Sequence, residues 1–141
     1  MADVYRARDT ELPREVAIKI LKPESQNEEA VREAFRDEAQ LAAQCHHDNI
    51  VTIHDRGEFE GHPFIVMEFL RGDGLDAVIK SGVTRDIGSA LKIARQISAA
   101  MECVHGQNIV HRDLKPQNLH MDKQGRVKLV DFGIAKSVAW N

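Results

Sequence analysis

The chain has 141 residues, enough for one compact domain with a core of its own. With 43% hydrophobic residues, 29% charged residues and a formal net charge of −3, it has an ordinary globular balance and no basic field for nucleic acid or an anionic membrane. No apolar run approaches the length of a membrane span and the first residues lack a signal-peptide layout, so the expectation is a cytosolic chain.

In chain order, "ADVYRARD" reads as a strand running into a turn, and "REVAIKIL", rich in β-branched residues, as a second strand. "NEEAVREAFRDEAQLAAQ" predicts a helix capped by Asn27, with acids in its first turn. "IVTIHDRGEF" and "PFIVMEFL" predict two more strands around a glycine-containing turn. "GDGLDAVIKSG" predicts a short helix. "TRDIGSALKIARQISAAMECVHG" predicts a long one, with Thr84 as cap and Gly106 as stop. "NLHM" and "RVKLV" predict a hairpin around "DKQG". The first half is mostly strands and the second mostly helix, with a seam at Glu68 to Arg71, before Gly72 and Gly74. Two cysteines are too few for a disulfide framework and are expected as free thiols. The seven histidines have no zinc-ligand spacing.

Two charges stand where apolar residues are expected. Lys19 lies inside the apolar strand "VAIKI", sharing a face with Ala17. It reads either as an edge-strand lysine that discourages aggregation or as one half of an ion pair. Val31, Phe35, Ala39 and Ala42 form a helical stripe, and Glu38 lies on it. Glu38 either borders the stripe in solvent or is buried, and a buried carboxylate needs a partner, for which Lys19 is the natural choice.

The stretch "HRDLKPQN" places an acid, a base and an amide within six residues. Asp113 could accept a proton from a hydroxyl, Lys115 could neutralise phosphate charge, and Asn118 offers a hard oxygen ligand for a divalent cation. Pro116 stiffens the loop. Thirteen residues after Asn118 comes "DFG", in which Asp131 supplies a carboxylate for a metal and Gly133 an unusual backbone turn.

With "VAIK", Glu38, "HRDLKPQN" and "DFG" in this order, the chain resembles a serine/threonine protein kinase catalytic domain. "DVYRARD", "DNIVTIHD" and "VKLVDFGIAK" are most similar to the eukaryotic-like kinases of bacteria. The resemblance implies an α+β, two-lobe kinase-like fold, present in part, with residues 1–67 forming an N-lobe and 68–141 the hinge and the start of a C-lobe. It implies transfer of the γ-phosphoryl group of ATP to protein Ser or Thr hydroxyls, with Mg2+. Lys19 would hold the α- and β-phosphates and pair with Glu38. Asp113 would be the base, and Lys115 would stabilise the transferred group. Asn118 and Asp131 would hold magnesium. Glu68 to Leu70 would bind adenine, with Met67 behind it and Val4 and Ala17 above. Arg112 implies control by a phosphorylated activation loop.

The departures from the family pattern predict a fragment. Met1 falls within the family's glycine-rich loop, Ala2 takes its third glycine position, and no activation segment follows "DFGIAKSVAWN". The long helix carries Ile87, Leu91, Ile93, Ala94, Ile97, Met101 and Val104 over a broad arc, an apolar face open to a partner. His120 stands where the family places an aliphatic floor for adenine. It is expected to stack on the ring acceptably; the alternative is that its charged form weakens nucleotide binding below its pKa. The alternative function is a kinase remnant that binds nucleotide or a partner without turnover.

Overall fold

The computed structural model describes residues 2–23, 29–82, 86–132 and 136–137. Strands β1 (Ala2–Arg8), β2 (Glu15–Leu21), β3 (Ile53–Phe59) and β4 (His62–Glu68) form an antiparallel sheet in the order β1-β2-β4-β3. The β3–β4 hairpin turns through Glu60 (φ 50°) and Gly61 (φ 81°), the two positive φ values that match the twist of paired strands. Strand β2 is internal. Lys19 stands in register with Val4 on one side and Ile65 on the other, which overturns the edge-strand reading.

Helix α1 (Glu29–Gln44) lies on this sheet with Phe35 and Ala39 against Ala17, Leu21, Ile65 and Met67. Its C-terminal end belongs to another cluster. Leu41, Ala42 and Cys45 pack with Ile50, Val104, Leu119, Leu129 and Phe132, so α1 spans two cores. Glu38 is 9% exposed, and the solvated reading fails: the carboxylate is on the buried face. Asn27, the expected cap, lies outside the described residues.

After the seam, β5 (Asp73–Gly74) leads into α2 (Leu75–Ser81), so the predicted short helix begins three residues late. Gly72, at φ 130°, lies so close to the next hairpin that a Cβ would meet the Met121 carbonyl oxygen at 2.2 Å. Helix α3 (Ile87–Gly106) is capped by Asp86, whose side chain accepts from the Ser89 N–H at 2.9 Å. Thr84 lies outside the described residues. Gly106 is still helical. The reversal falls to Asn108 (φ 56°), since asparagine tolerates the left-handed region.

Strand β6 (Ile109–Val110) pairs with β9 (Lys136–Ser137), a pairing the sequence pattern did not indicate. A single 3-10 turn (Pro116–Asn118) leads into β7 (Leu119–Met121), which pairs with β8 (Val127–Leu129) and with β5. Asn118 thus ends a turn instead of opening the strand. Ile50, expected to open a strand, instead precedes β3 and bridges to Leu129 in parallel. Asn49 secures that junction by donating to Gln96 Oε1 at 2.9 Å and to the Val127 carbonyl at 2.7 Å. No helix among the described residues is long and apolar enough to cross a membrane. On α3, Ile87 and Leu91 are 78% and 64% exposed, while Val104 is fully buried.

Candidate active site

Lys19 and Glu38 come from different elements, β2 and α1, and meet at 2.5 Å between Nζ and Oε1. The packing of α1 on the sheet aims the carboxylate at the lysine, because Phe35 and Ala39 anchor the turn on which Glu38 lies. Burial pushes the Glu38 carboxyl above its ordinary value. Lys19 pulls it back, and the neighbouring Asp131 carboxylate pushes it up again. The Lys19 ammonium also lies 5.8 Å from the centroid of the Phe35 ring.

Asp113, Lys115 and Asn118 come from one loop. Lys115 Nζ lies 2.8 Å from Asp113 Oδ2. Asn118, buried, donates from Nδ2 to the same oxygen at 3.0 Å and to the Asp113 carbonyl at 2.8 Å. Lys115 is the main reason that the Asp113 carboxyl lies below its ordinary value; burial opposes it, and Asn118 adds to it. Because the Asn118 nitrogen is committed to Asp113, its amide oxygen is turned to other partners.

His111 joins this loop to the segment holding Asp131. It is 2% exposed, and its ring meets Phe132 edge-on at 5.3 Å. Nε2 lies 2.5 Å from the Asp131 carbonyl and Nδ1 lies 3.3 Å from the Asp113 N–H. A carbonyl only accepts and an N–H only donates, so this geometry assigns the ring proton to Nε2. One chain of contacts therefore runs from Lys19 through Glu38, Asp131 and His111 to Asp113, Asn118 and Lys115. Gly133 lies outside the described residues.

The expected nucleotide residues divide into groups. Glu68, Leu70 and His120 line a cleft of about 290 Å³ between the seam and the β7–β8 hairpin, together with Lys128. Met67 instead borders a small void with Glu38, Val130 and Phe132. Ala17 is buried in register with Met67, and Val4 is 62% exposed on β1; neither lines the cleft. His120 pairs with Gly74 and Lys128, and its Nε2 is buried without a hydrogen-bond partner. Burial lowers the His120 pKa, against the pull of Asp73 and Asp122. Arg112 is exposed at φ 63°.

Three contributors escaped the sequence reading. His111 gave no signal beyond a histidine in a charged stretch. Val130 lines the Met67 void, although alternation in "RVKLV" places it on the face of Lys128, opposite Val127 and Leu129. Lys128 reaches Glu68 Oε1 at 2.6 Å, where the Thr52 N–H also donates at 2.8 Å; that junction spans 60 residues and is invisible in the sequence.

No group of three or more His, Cys, Asp or Glu among the described residues could hold a metal on its own. One carboxylate and one amide oxygen suit a cation that takes its remaining ligands from phosphate or water. The residues fit such an ion in a second respect: Asp131 and Glu38 are like charges side by side, which a nearby cation relieves.

The chain belongs to the protein kinase domain family, whose profile matches residues 1–140. It is 43% identical over 140 residues to the probable serine/threonine-protein kinase PknB of Lactococcus lactis, covering 99% of this chain and 22% of that protein. It is 43% identical over 139 residues to the serine/threonine-protein kinase PrkC of Bacillus subtilis, covering 99% and 22%. It is 38% identical over 143 residues to the serine/threonine-protein kinase PknA of Mycobacterium tuberculosis, covering 98% and 33%. The chain thus spans about a fifth to a third of the length of these curated relatives. The fold agrees with a partial kinase fold, an antiparallel sheet with one helix followed by a helical region, and kinases of this family use ATP and a divalent metal.

Proposed function

We propose that this chain carries the nucleotide-binding and phosphoryl-transfer residues of a serine/threonine protein kinase, moving the γ-phosphoryl group of ATP to a protein Ser or Thr hydroxyl. The observation that supports it most is the contact chain from Lys19 to Asp113. It gathers two cations, a proton acceptor and two oxygen ligands from four separate segments. Phosphoryl transfer requires positioning and charge stabilisation more than covalent chemistry from the protein.

In this reading residues 1–67 and 68–141 are the two parts that enclose the nucleotide. Lys19, steered by Glu38, holds the α- and β-phosphates. The backbone of Glu68 to Leu70 takes the adenine edge, with Met67 behind, Val4 and Ala17 above and His120 below. Asp113 orients the substrate hydroxyl and accepts its proton, and Lys115 beside it holds its carboxyl below the ordinary value. Lys115 stabilises the transferred group. Asn118 and Asp131 would hold Mg2+, which when bound neutralises phosphate charge. The reaction takes place in the cytoplasm, where ATP is available. The apolar face of α3 around Ile87 and Leu91 takes a partner.

The test is transfer of labelled phosphate from Mg·ATP to a Ser/Thr-rich protein, with the chain run beside Asp113→Asn. We expect transfer that falls about a hundredfold or more in the variant. Transfer equal in both chains would remove Asp113 as the base. Binding of ATP without transfer by either would favour a nucleotide-binding module.

A further inference from the structure

Cys45 and Cys103 lie 58 positions apart, yet their side chains pack in one cluster. Cys45 follows the last turn of α1 and is buried at 4% exposure. Cys103 is half-buried near the end of α3. Its Sγ lies 3.9 Å from the carbonyl oxygen of His46, the residue next to Cys45. Both thiols are free.

We infer that Cys45 and Cys103 are a redox pair that closes into a disulfide and clamps the C-terminal end of α1 to α3. Three observations carry this. The two side chains share a cluster. The Cys103 sulfur reaches the backbone beside Cys45. The end of α1 already packs in one core with Ala100 and Val104 of α3, beside the Asn49–Gln96 junction. Burial and the neighbouring Cys103 thiol push the Cys45 thiol up to about 11, so Cys45 is a poor thiolate at neutral pH. The order of events follows. Cys103, the more accessible sulfur, is oxidised first and Cys45 resolves it.

With hydrogen peroxide as oxidant, the Cys103 sulfur attacks one peroxide oxygen. The O–O bond breaks, a sulfenic acid forms, and the departing hydroxide is protonated to water. The Cys45 sulfur then attacks the Cys103 sulfur. The S–S bond forms, the S–O bond breaks, and the second oxygen leaves as water with the Cys45 proton. Two thiols and one peroxide become one disulfide and two waters. A thiol reductant reverses the change by exchange.

The consequence falls on α1. Its upper turns hold Phe35, Glu38 and Ala39 against the sheet, and its last turn reaches the lower core. A covalent link at residue 45 prevents the helix end from leaving α3, so the oxidised chain opens α1 less often. This inference does not depend on phosphoryl transfer.

The experiment treats the full chain with hydrogen peroxide and reads its intact mass and a non-reducing peptide map. We expect most chains to lose two hydrogen atoms, with peptides containing residues 45 and 103 joined, and a reductant to restore both. Cys45→Ala and Cys103→Ala should form no link. Amide hydrogen exchange across residues 36–44 should slow by about threefold or more in the oxidised chain. A Cys103 sulfenic acid that dimedone traps while Cys45 stays free would overturn the proposal. So would a link that forms only in denaturant, or unchanged exchange in α1.

Discussion

The two charged clusters of the candidate site are built in opposite ways. Lys19 and Glu38 stand 19 residues apart on a strand and a helix, and both side chains are largely withdrawn from water at 17% and 11% exposure. Asp113, Lys115 and Asn118 lie within six residues on one loop, with the lysine and the aspartate much more exposed. The first cluster depends on the packing of α1 against the sheet. The second depends on a local turn, stiffened by Pro116 and held from below by His111. Loss of a partner should therefore act through stability in the first case and through chemistry alone in the second.

Lys19→Met is the sharpest way to break that comparison. It leaves Glu38 buried beside Asp131 with no cation, and about 3 kcal/mol of stability should go with it. Nucleotide binding should fall in the same variant. Denaturant unfolding alongside ATP titration measures both; unchanged stability would mean that the pair is solvated in practice. Lys115→Met should leave the unfolding midpoint where it is and reduce phosphate transfer instead. Lys115 is the main cause of the lowered Asp113 pKa, so its removal lets that pKa rise. The acid limb of the pH–rate profile should move to higher pH.

A smaller effect separates the clusters by pH. The Glu38 carboxyl is raised in the fold, so the folded chain binds its proton more tightly than the unfolded chain does. That contribution is complete below the ordinary value of 4.5 and is lost as pH rises through the raised value. Glu38→Gln should flatten this segment of the stability profile, and an unaltered profile would rule the effect out. His120 runs the other way. Its pKa is depressed by burial, so its contribution is present above 6.5 and fades as pH falls towards the folded value. His120→Leu should remove that loss and keep nucleotide affinity flat across mildly acidic pH. A fall in affinity that persists in the variant would place the titrating group elsewhere.

The same contrast explains what could be read from the sequence. The loop "HRDLKPQN" was legible because its spacing is its geometry: over so few residues, with one proline, the chain has little freedom to scatter the three side chains. The strands and both long helices were legible from their hydrophobic period. Glu38 was half legible, since its place on an apolar stripe showed that it was unusual without showing where it would go. The cap of α3 was misplaced by two residues because Thr84 and Asp86 are both good capping residues, and the pattern alone does not say where the first turn begins. Gly106 reads as the stop in the sequence, yet Asn108 makes the left-handed turn.

Length, composition and motif order determined the α+β class, the kinase family and the identity of the charged groups, because these depend on residues close together in the chain or on a period of two or 3.6. Only the tertiary structure decided that β2 is internal and that Lys19 therefore meets Glu38. It alone decided that His111 ties Asp131 to Asp113, that Lys128 reaches Glu68, and that Cys45 and Cys103 pack together. Each of these joins residues roughly 20 to 60 positions apart. Such pairings arise when buried faces are packed together, and no local preference of the chain encodes them.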